Sequence, residues 1–196
     1  MSVRLSAQSE NLGRSLATVQ YRYPGSPPFR DSETDRRLFL GRDSEVDVVL
    51  HSILSFDLFL LYAESGLGKT SLLNAGVANR LRERGLWPVS VRLNDPGRTP
   101  VEQICEQIVA AAASDPDVEL VDAARLIDGD ESDSSLWNAL SALEVWRGNE
   151  LQKLVVILDQ FEEIFTLGWE AERQQQFFAE FGEVVRRHRD GSAWSS

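Results

Sequence analysis

The residues best suited to chemistry lie between Leu58 and Ser71, in the order Leu-Phe-Leu-Leu-Tyr-Ala-Glu-Ser-Gly-Leu-Gly-Lys-Thr-Ser. An apolar run, Leu58 to Tyr62, stops at a small glycine-bearing loop, and a helix-forming segment begins near Lys69. Strand, loop and helix in that order can cradle a polyphosphate. The loop must turn its backbone N–H groups inward, and Gly66 and Gly68 allow the φ values and close approach that a side chain would block. In this pattern Glu64, Ser65, Gly66, Leu67 and Gly68 form the loop, Lys69 reaches the β- and γ-phosphates, and Thr70 offers its hydroxyl to Mg²⁺. The helix start, through Ser71, adds N–H donors and a favourable dipole. Ala63 stands where the usual pattern has its first glycine. The plainer reading is a glycine-rich strand-to-helix turn with a surface lysine; the apolar run before it and the helix after it favour phosphate.

A second apolar run, Leu154 to Leu158, ends in Asp159, as expected of a strand buried on both faces of a parallel sheet. In phosphate-loop NTPases an acid at the carboxyl end of a neighbouring strand helps to hold Mg²⁺, which makes Asp159 the candidate here. Glu162 and Glu163 leave the same strand end. A carboxylate there can orient or deprotonate an attacking water, with Glu162 the first choice and Glu163 the second. A small-molecule kinase is the weaker alternative, because this acidic pair suits water activation and no lid with an arginine cluster is evident.

The elements that must position these groups can be read along the chain. Its 196 residues suit one domain, and 42% hydrophobic with 26% charged residues is ordinary for a globular protein. A net charge of -11 argues against a general nucleic-acid or anionic-membrane surface. Asp57 interrupts the best candidate for a membrane span, and Cys105 is the single cysteine, so a reducing cytoplasm is the simplest setting. Residues 1–20 read as a flexible tail, 21–42 as a proline-bearing arm and linker, 43–190 as the core and 191–196 as a tail. Helices are expected from Asp43 or Ser44 through Leu54, from Lys69 through Leu81 and from Pro100 through Val109. The start of the last is marked by Thr99, Pro100 and Glu102. Trp87 to Leu93 reads as a strand, Val118 to Ile127 as a short helix in an acidic surface insertion, and Leu136 to Leu143 as a helix broken by Gly148 and Asn149. Glu170 to Arg189 forms the last helix, with basic residues complementing its dipole.

Four motifs occur in order: Tyr23-Pro24-Gly25-Ser26-Pro27-Pro28-Phe29; Phe39-Leu40-Gly41-Arg42 with Glu45 and Leu50; the phosphate loop; and Asp159-Gln160-Phe161-Glu162-Glu163-Ile164-Phe165. Together they resemble the bacterial branch of STAND NTPases, signal-transduction ATPases related to NACHT domains and apoptotic ATPases. The resemblance covers roughly Tyr23 to Leu167. It implies that Phe39 to Arg42 lies against adenine and ribose, with Gly41 letting the backbone approach. It further implies that Lys69 and Thr70 hold phosphate and Mg²⁺, and that Asp159 with Glu162 and Glu163 matches the family's acidic motif. ATP or ADP with Mg²⁺ are the implied cofactors. Relatives act as slow switches that exchange nucleotide, oligomerise and activate an effector, often in bacterial defence.

The implied fold is an α/β three-layer phosphate-loop sandwich with a mainly parallel sheet of about three to five strands. A complete domain of this kind carries one more strand between the phosphate-loop strand and the Asp159 strand. Three expectations follow: a truncated piece, two strands that close up side by side, or a strand supplied by another chain. The leading function is ATP binding, with slow hydrolysis and a protein partner or self-association. The rival is a non-hydrolysing interaction module on the same fold. Neither nucleic acid nor membrane is an expected partner.

Overall fold

The computed structural model describes residues 27–64, 66–123 and 135–189. The expectations for residues 1–20 and 191–196, for Tyr23 to Ser26 of the arm and for Ser65 lie outside the described residues.

Helix α1 (Glu33–Leu38) is capped by Ser32, whose side chain accepts from Asp35 N–H. Helix α2 (Asp43–Ser55) buries Val46, Val49 and Leu50. After the glycine loop, α3 (Lys69–Ser71), a π-helical stretch (Leu72–Val77) and α4 (Ala78–Arg82) follow without a break. Gly76 sits in the π-helical stretch for a steric reason. A Cβ there would lie 2.5 Å from Val46 Cγ2 and 3.0 Å from Phe39 Cε1, so only glycine lets α2 and Phe39 approach this closely. Strand β1 (Leu86–Val91) precedes α5 (Pro100–Ala113), which starts as the sequence implies. Thr99 Oγ1 accepts from Glu102 N–H at 3.2 Å, and Glu102 Oε2 accepts from Thr99 N–H at 2.7 Å.

The remaining elements among the described residues are β2 (Val118–Val121), α6 (Leu136–Ser141), β3 (Glu144–Arg147), β4 (Glu150–Leu158), α7 (Glu163–Thr166) and α8 (Ala171–Arg189). The sheet order is β1-β4-β3-β2. Among the described residues only β1 and β4 pair in parallel, from Leu86 opposite Lys153 to Val91 opposite Leu158; β4 with β3 and β3 with β2 are antiparallel. The sheet is therefore mixed and mostly antiparallel, where a mainly parallel one was expected. The reason lies in the connection from β3 to β4. Gly148 and Asn149 form a two-residue hairpin with Gly148 at φ +58°, and a tight hairpin can join only antiparallel strands. The pair expected to break a helix is instead this turn. Of the helix expected over Val118 to Ile127, Val118–Val121 is instead a strand, because its alternating half-buried and exposed residues fit against β3, and residues 124–127 lie outside the described residues, as does the acidic insertion through 134.

Leu58 to Tyr62 form no strand, against expectation. Lys153 N–H donates to Gly85 O at 3.0 Å and Asp159 N–H to Val91 O at 2.9 Å. By alternation, Leu154, Val156 and Leu158 turn their backbone groups to the opposite edge, which β3 pairs only as far as Gln152. Leu58 to Tyr62 pair with no strand among the described residues. Without a ladder partner, an extended segment gains no interstrand hydrogen bonds. Leu60 and Tyr62 are 79% and 88% exposed.

Two apolar clusters flank the β1–β4 pair. One joins Trp87, Val89 and Val91 of β1, Ile104 and Ile108 of α5, and Ile164 and Phe177, with Leu154, Val156 and Leu158 packed against it. The other joins Val46, Val49 and Leu50 of α2 with Leu72, Val77 and Leu81, and takes Phe59, Leu61 and Val155 at its margin. Successive β4 residues thus feed opposite faces of the sheet.

Candidate functional site

The glycine loop turns as its residues dictate. Gly66 and Gly68 take φ +84° and +73°, values that L side chains rarely adopt. Gly68 is the residue before α3, so the first N–H groups of the helical run open towards the loop without intrahelical partners. Lys69 curls over the loop: its Nζ donates to Ala63 O at 2.6 Å and to Glu64 O at 3.3 Å. Glu64 and Leu67 are exposed, whereas Lys69, Thr70 and Ser71 are half-buried.

Thr70 meets Asp159. The Thr70 hydroxyl lies 3.0 Å from Asp159 Oδ1 and 2.9 Å from Oδ2, although the two residues are 89 positions apart. Asp159 directly follows β4, and its N–H bond to Val91 O fixes the strand end beside β1. Gln160 then adopts φ +55°, a left-handed conformation unusual for a non-glycine residue, and the chain turns sharply into α7. Glu162 and Glu163 therefore emerge at the same end of the sheet as the loop.

The two glutamates sit in different surroundings. Glu163 is gripped by Arg92, which follows β1: Nε donates to Oε2 at 2.7 Å and Nη2 to Oε1. That guanidinium holds the Glu163 carboxyl below the ordinary carboxylate range. In return Glu163, followed by Asp159 and Glu162, raises the affinity of Arg92 for its proton. Glu162 is exposed, and its carboxylate makes no hydrogen bond or ion pair among the described residues.

The arm and linker reach the same loop. Arg42 Nη1 donates to Leu67 O at 3.0 Å while its Nε lies 3.3 Å from Glu45 Oε1. Gly41, at φ +81°, makes the turn from α1 that aims Arg42 there. Phe29 N–H donates to Ser71 Oγ at 3.1 Å, Asn74 Nδ2 donates to Phe29 O at 3.3 Å, and the Phe29 ring packs edge-on against Phe39 at 5.8 Å. Of two cavities of about 310 and 320 Å³, the first, between Asp31, Arg82, Asp115 and Arg147, includes no residue of the glycine loop. The second, between Phe39, Arg42, Val46 and Gly76, flanks the linker.

The hard oxygens of Thr70 and Asp159 fit Mg²⁺, which takes one or two protein ligands and completes its shell with phosphate and water. Among the described residues no group of three His, Cys, Asp or Glu could hold a metal without such help. Cys105 is buried, and burial pushes its thiol up to about 11, in keeping with a packing role. Among the described residues no helix is long and apolar enough to cross a membrane.

Sequence reasoning missed Arg92 and the glutamines behind it. Gln107 accepts from Arg92 N–H at 2.9 Å and donates to Arg92 O at 3.0 Å. Gln103, buried, accepts from Asn94 and Asp95 N–H and donates to Asp95 O. The available signal was a lone base at the carboxyl end of an apolar strand, where α/β proteins gather ligand groups.

A mixed α/β frame with glycine loop, Thr70 and acids at one sheet end is compatible with an NTPase-like protein. The family described as Novel STAND NTPase 1 matches residues 23–192, most of the chain, and the chain belongs to that family. Nucleotide and Mg²⁺ use accompany the family in general. No curated protein matches, and no solved structure does.

Proposed function

We propose that the chain binds a nucleoside triphosphate, ATP by family resemblance, as its Mg²⁺ complex and acts as a STAND-type switch in which hydrolysis is slow. The single observation that carries this reading is the Thr70–Asp159 contact, which joins the phosphate-loop motif to the acidic motif. Gly66, Gly68 and the helical N–H groups would wrap the phosphates, and Lys69 would exchange the carbonyls of Ala63 and Glu64 for phosphate oxygens. Bound Mg²⁺ supplies charge neutralisation of the phosphate oxygens. Glu162 would orient the water that attacks the γ-phosphorus; the β–γ P–O bond breaks, and ADP and phosphate leave. The three-layer phosphate-loop sandwich and a cytoplasmic setting belong to the same proposal.

Thermal unfolding with and without MgATP tests it. Ligand at a hundred times its dissociation constant should add about 2.7 kcal/mol to stability, and Lys69→Ala should abolish the gain. An equal response in both proteins, or none in either, would reject the site. A second reading, an interaction module that does not hydrolyse nucleotide, is favoured by the exposed Leu58, Leu60 and Tyr62. It requires that Lys69→Ala leave partner binding or self-association unchanged.

A further inference from the structure

We infer that Arg92 is a positioning residue that divides the work of the two glutamates, holding Glu163 in a neutralised pair and leaving Glu162 as the carboxylate that meets the water. This rests on the nucleotide-hydrolysing reading above and deepens it.

Three carboxylates, Asp159, Glu162 and Glu163, crowd one strand end that must also receive a polyanion. Asp159 is engaged with Thr70. Glu163 has both oxygens in the Arg92 fork, which fixes the carboxylate plane and compensates its charge. The fork is anchored at both ends. Gln107 fixes the Arg92 backbone through its N–H and its carbonyl, and Glu163 opens α7, with its own N–H donating to Gln160 O at 2.9 Å. The Glu163 side chain is only 16% exposed while that of Arg92 is 47% exposed, so the carboxylate is sheltered and its charge is met by a partner reaching in from the surface. Glu162, one residue earlier, makes no hydrogen bond or ion pair through its carboxylate among the described residues. A planar fork can do this where an ammonium cannot, since it satisfies both carboxylate oxygens at once and fixes their plane.

Removing the fork would therefore release an uncompensated negative charge beside the phosphate site. MgATP affinity, KM and kcat measured on wild type, Glu162→Gln, Glu163→Gln, Arg92→Gln, Arg92→Lys and the double variant Arg92→Gln/Glu163→Gln test this. Glu162→Gln should lower kcat by about a hundredfold or more with little change in affinity, as expected for loss of a general base. Glu163→Gln should lower kcat far less than Glu162→Gln and, by leaving the Arg92 cation unpaired beside the phosphate site, should tighten MgATP binding. Arg92→Gln should weaken MgATP binding by about tenfold through the freed charge, with Arg92→Lys intermediate. The double variant should regain most of that affinity, because a neutral amide in place of the Glu163 carboxylate has no charge to repel the nucleotide; a pair that only braced the fold would lower the unfolding midpoint in Arg92→Gln and leave MgATP affinity of the folded protein unchanged. The assignment is overturned if Arg92→Gln binds and turns over like wild type, if the double variant is no better than Arg92→Gln, or if Glu163→Gln is as damaging as Glu162→Gln. Should Arg92→Gln fail to fold, the contrast between Glu162→Gln and Glu163→Gln decides. A wild type that neither binds nor hydrolyses MgATP rejects the nucleotide reading itself, and binding without turnover rejects the division of labour alone.

Discussion

The two faces of the β1–β4 pair are built to different standards. On the face that packs α5 and α8, Ile108 and Ile164 are fully buried and Phe177 is 1% exposed. On the face that carries the glycine loop, α2 and the helical run from Lys69 to Arg82 pack well, yet the run leading into the loop does not. Phe59 and Leu61 touch that cluster while Leu60 and Tyr62 are open to water. The first face is held by side-chain burial. The second holds its loop by isolated polar contacts: Arg42 to Leu67 O, Lys69 to Ala63 O and Thr70 to Asp159. Local opening is easiest where apolar burial is least, so the loop face is the part that a ligand can order.

The largest effect that sharpens this contrast is expected from Phe177→Ala, which removes a ring packed among Phe161, Phe178 and Phe181. It should cost about 3–5 kcal/mol in chemical unfolding, whereas Tyr62→Ala should stay within about 0.5 kcal/mol. Equal losses would erase the distinction between the faces. An intermediate effect should come from Gly76→Ala. Its methyl must displace Val46 and Phe39, at a cost of about 1–3 kcal/mol, and unchanged stability would show that this contact is loose.

The smallest effect concerns pH. The folded Glu163 carboxyl lies below its ordinary value of 4.5 because Arg92 pairs with it. A depressed carboxyl contributes stability that is present above the ordinary value and is lost as pH falls through the lowered one. Glu163→Gln should therefore be less stable than wild type near neutrality and converge with it in acid. Unfolding midpoints taken across that range check the sign, and a gap that widens in acid would contradict it.

Local signals were legible in the sequence where one segment decides its own structure. Thr99, Pro100 and Glu102 announce α5 because cap, proline and reciprocal glutamate all act within one turn. The apolar spacing of α8 likewise needs no knowledge of the rest of the chain. Strand β3 was not legible. Leu136, Leu140 and Leu143 continue a helical period towards Val145 and Trp146, and only the pairing with Leu151 and Gln152 makes that stretch extended. The run Leu58 to Tyr62 shows the opposite failure, for its composition says strand but a strand requires a neighbour. Within the candidate site, Thr70 and Asp159 stood out by type and spacing, and the fold supplied their contact. The fork between Arg92 and Glu163 spans 71 residues and follows no periodic pattern, so it became visible only once β1 lay beside β4.

Amide hydrogen exchange with and without MgATP tests most directly whether a nucleotide orders the loop face over a preformed frame. Residues 58–71 should exchange quickly in the free protein and gain protection with nucleotide, while Leu86–Val91 and Leu154–Leu158 should be protected in both states. Lys69→Ala should lose the gain. Protection that is unchanged at the loop, or that rises equally across the β1–β4 pair, would contradict a nucleotide site built on that division.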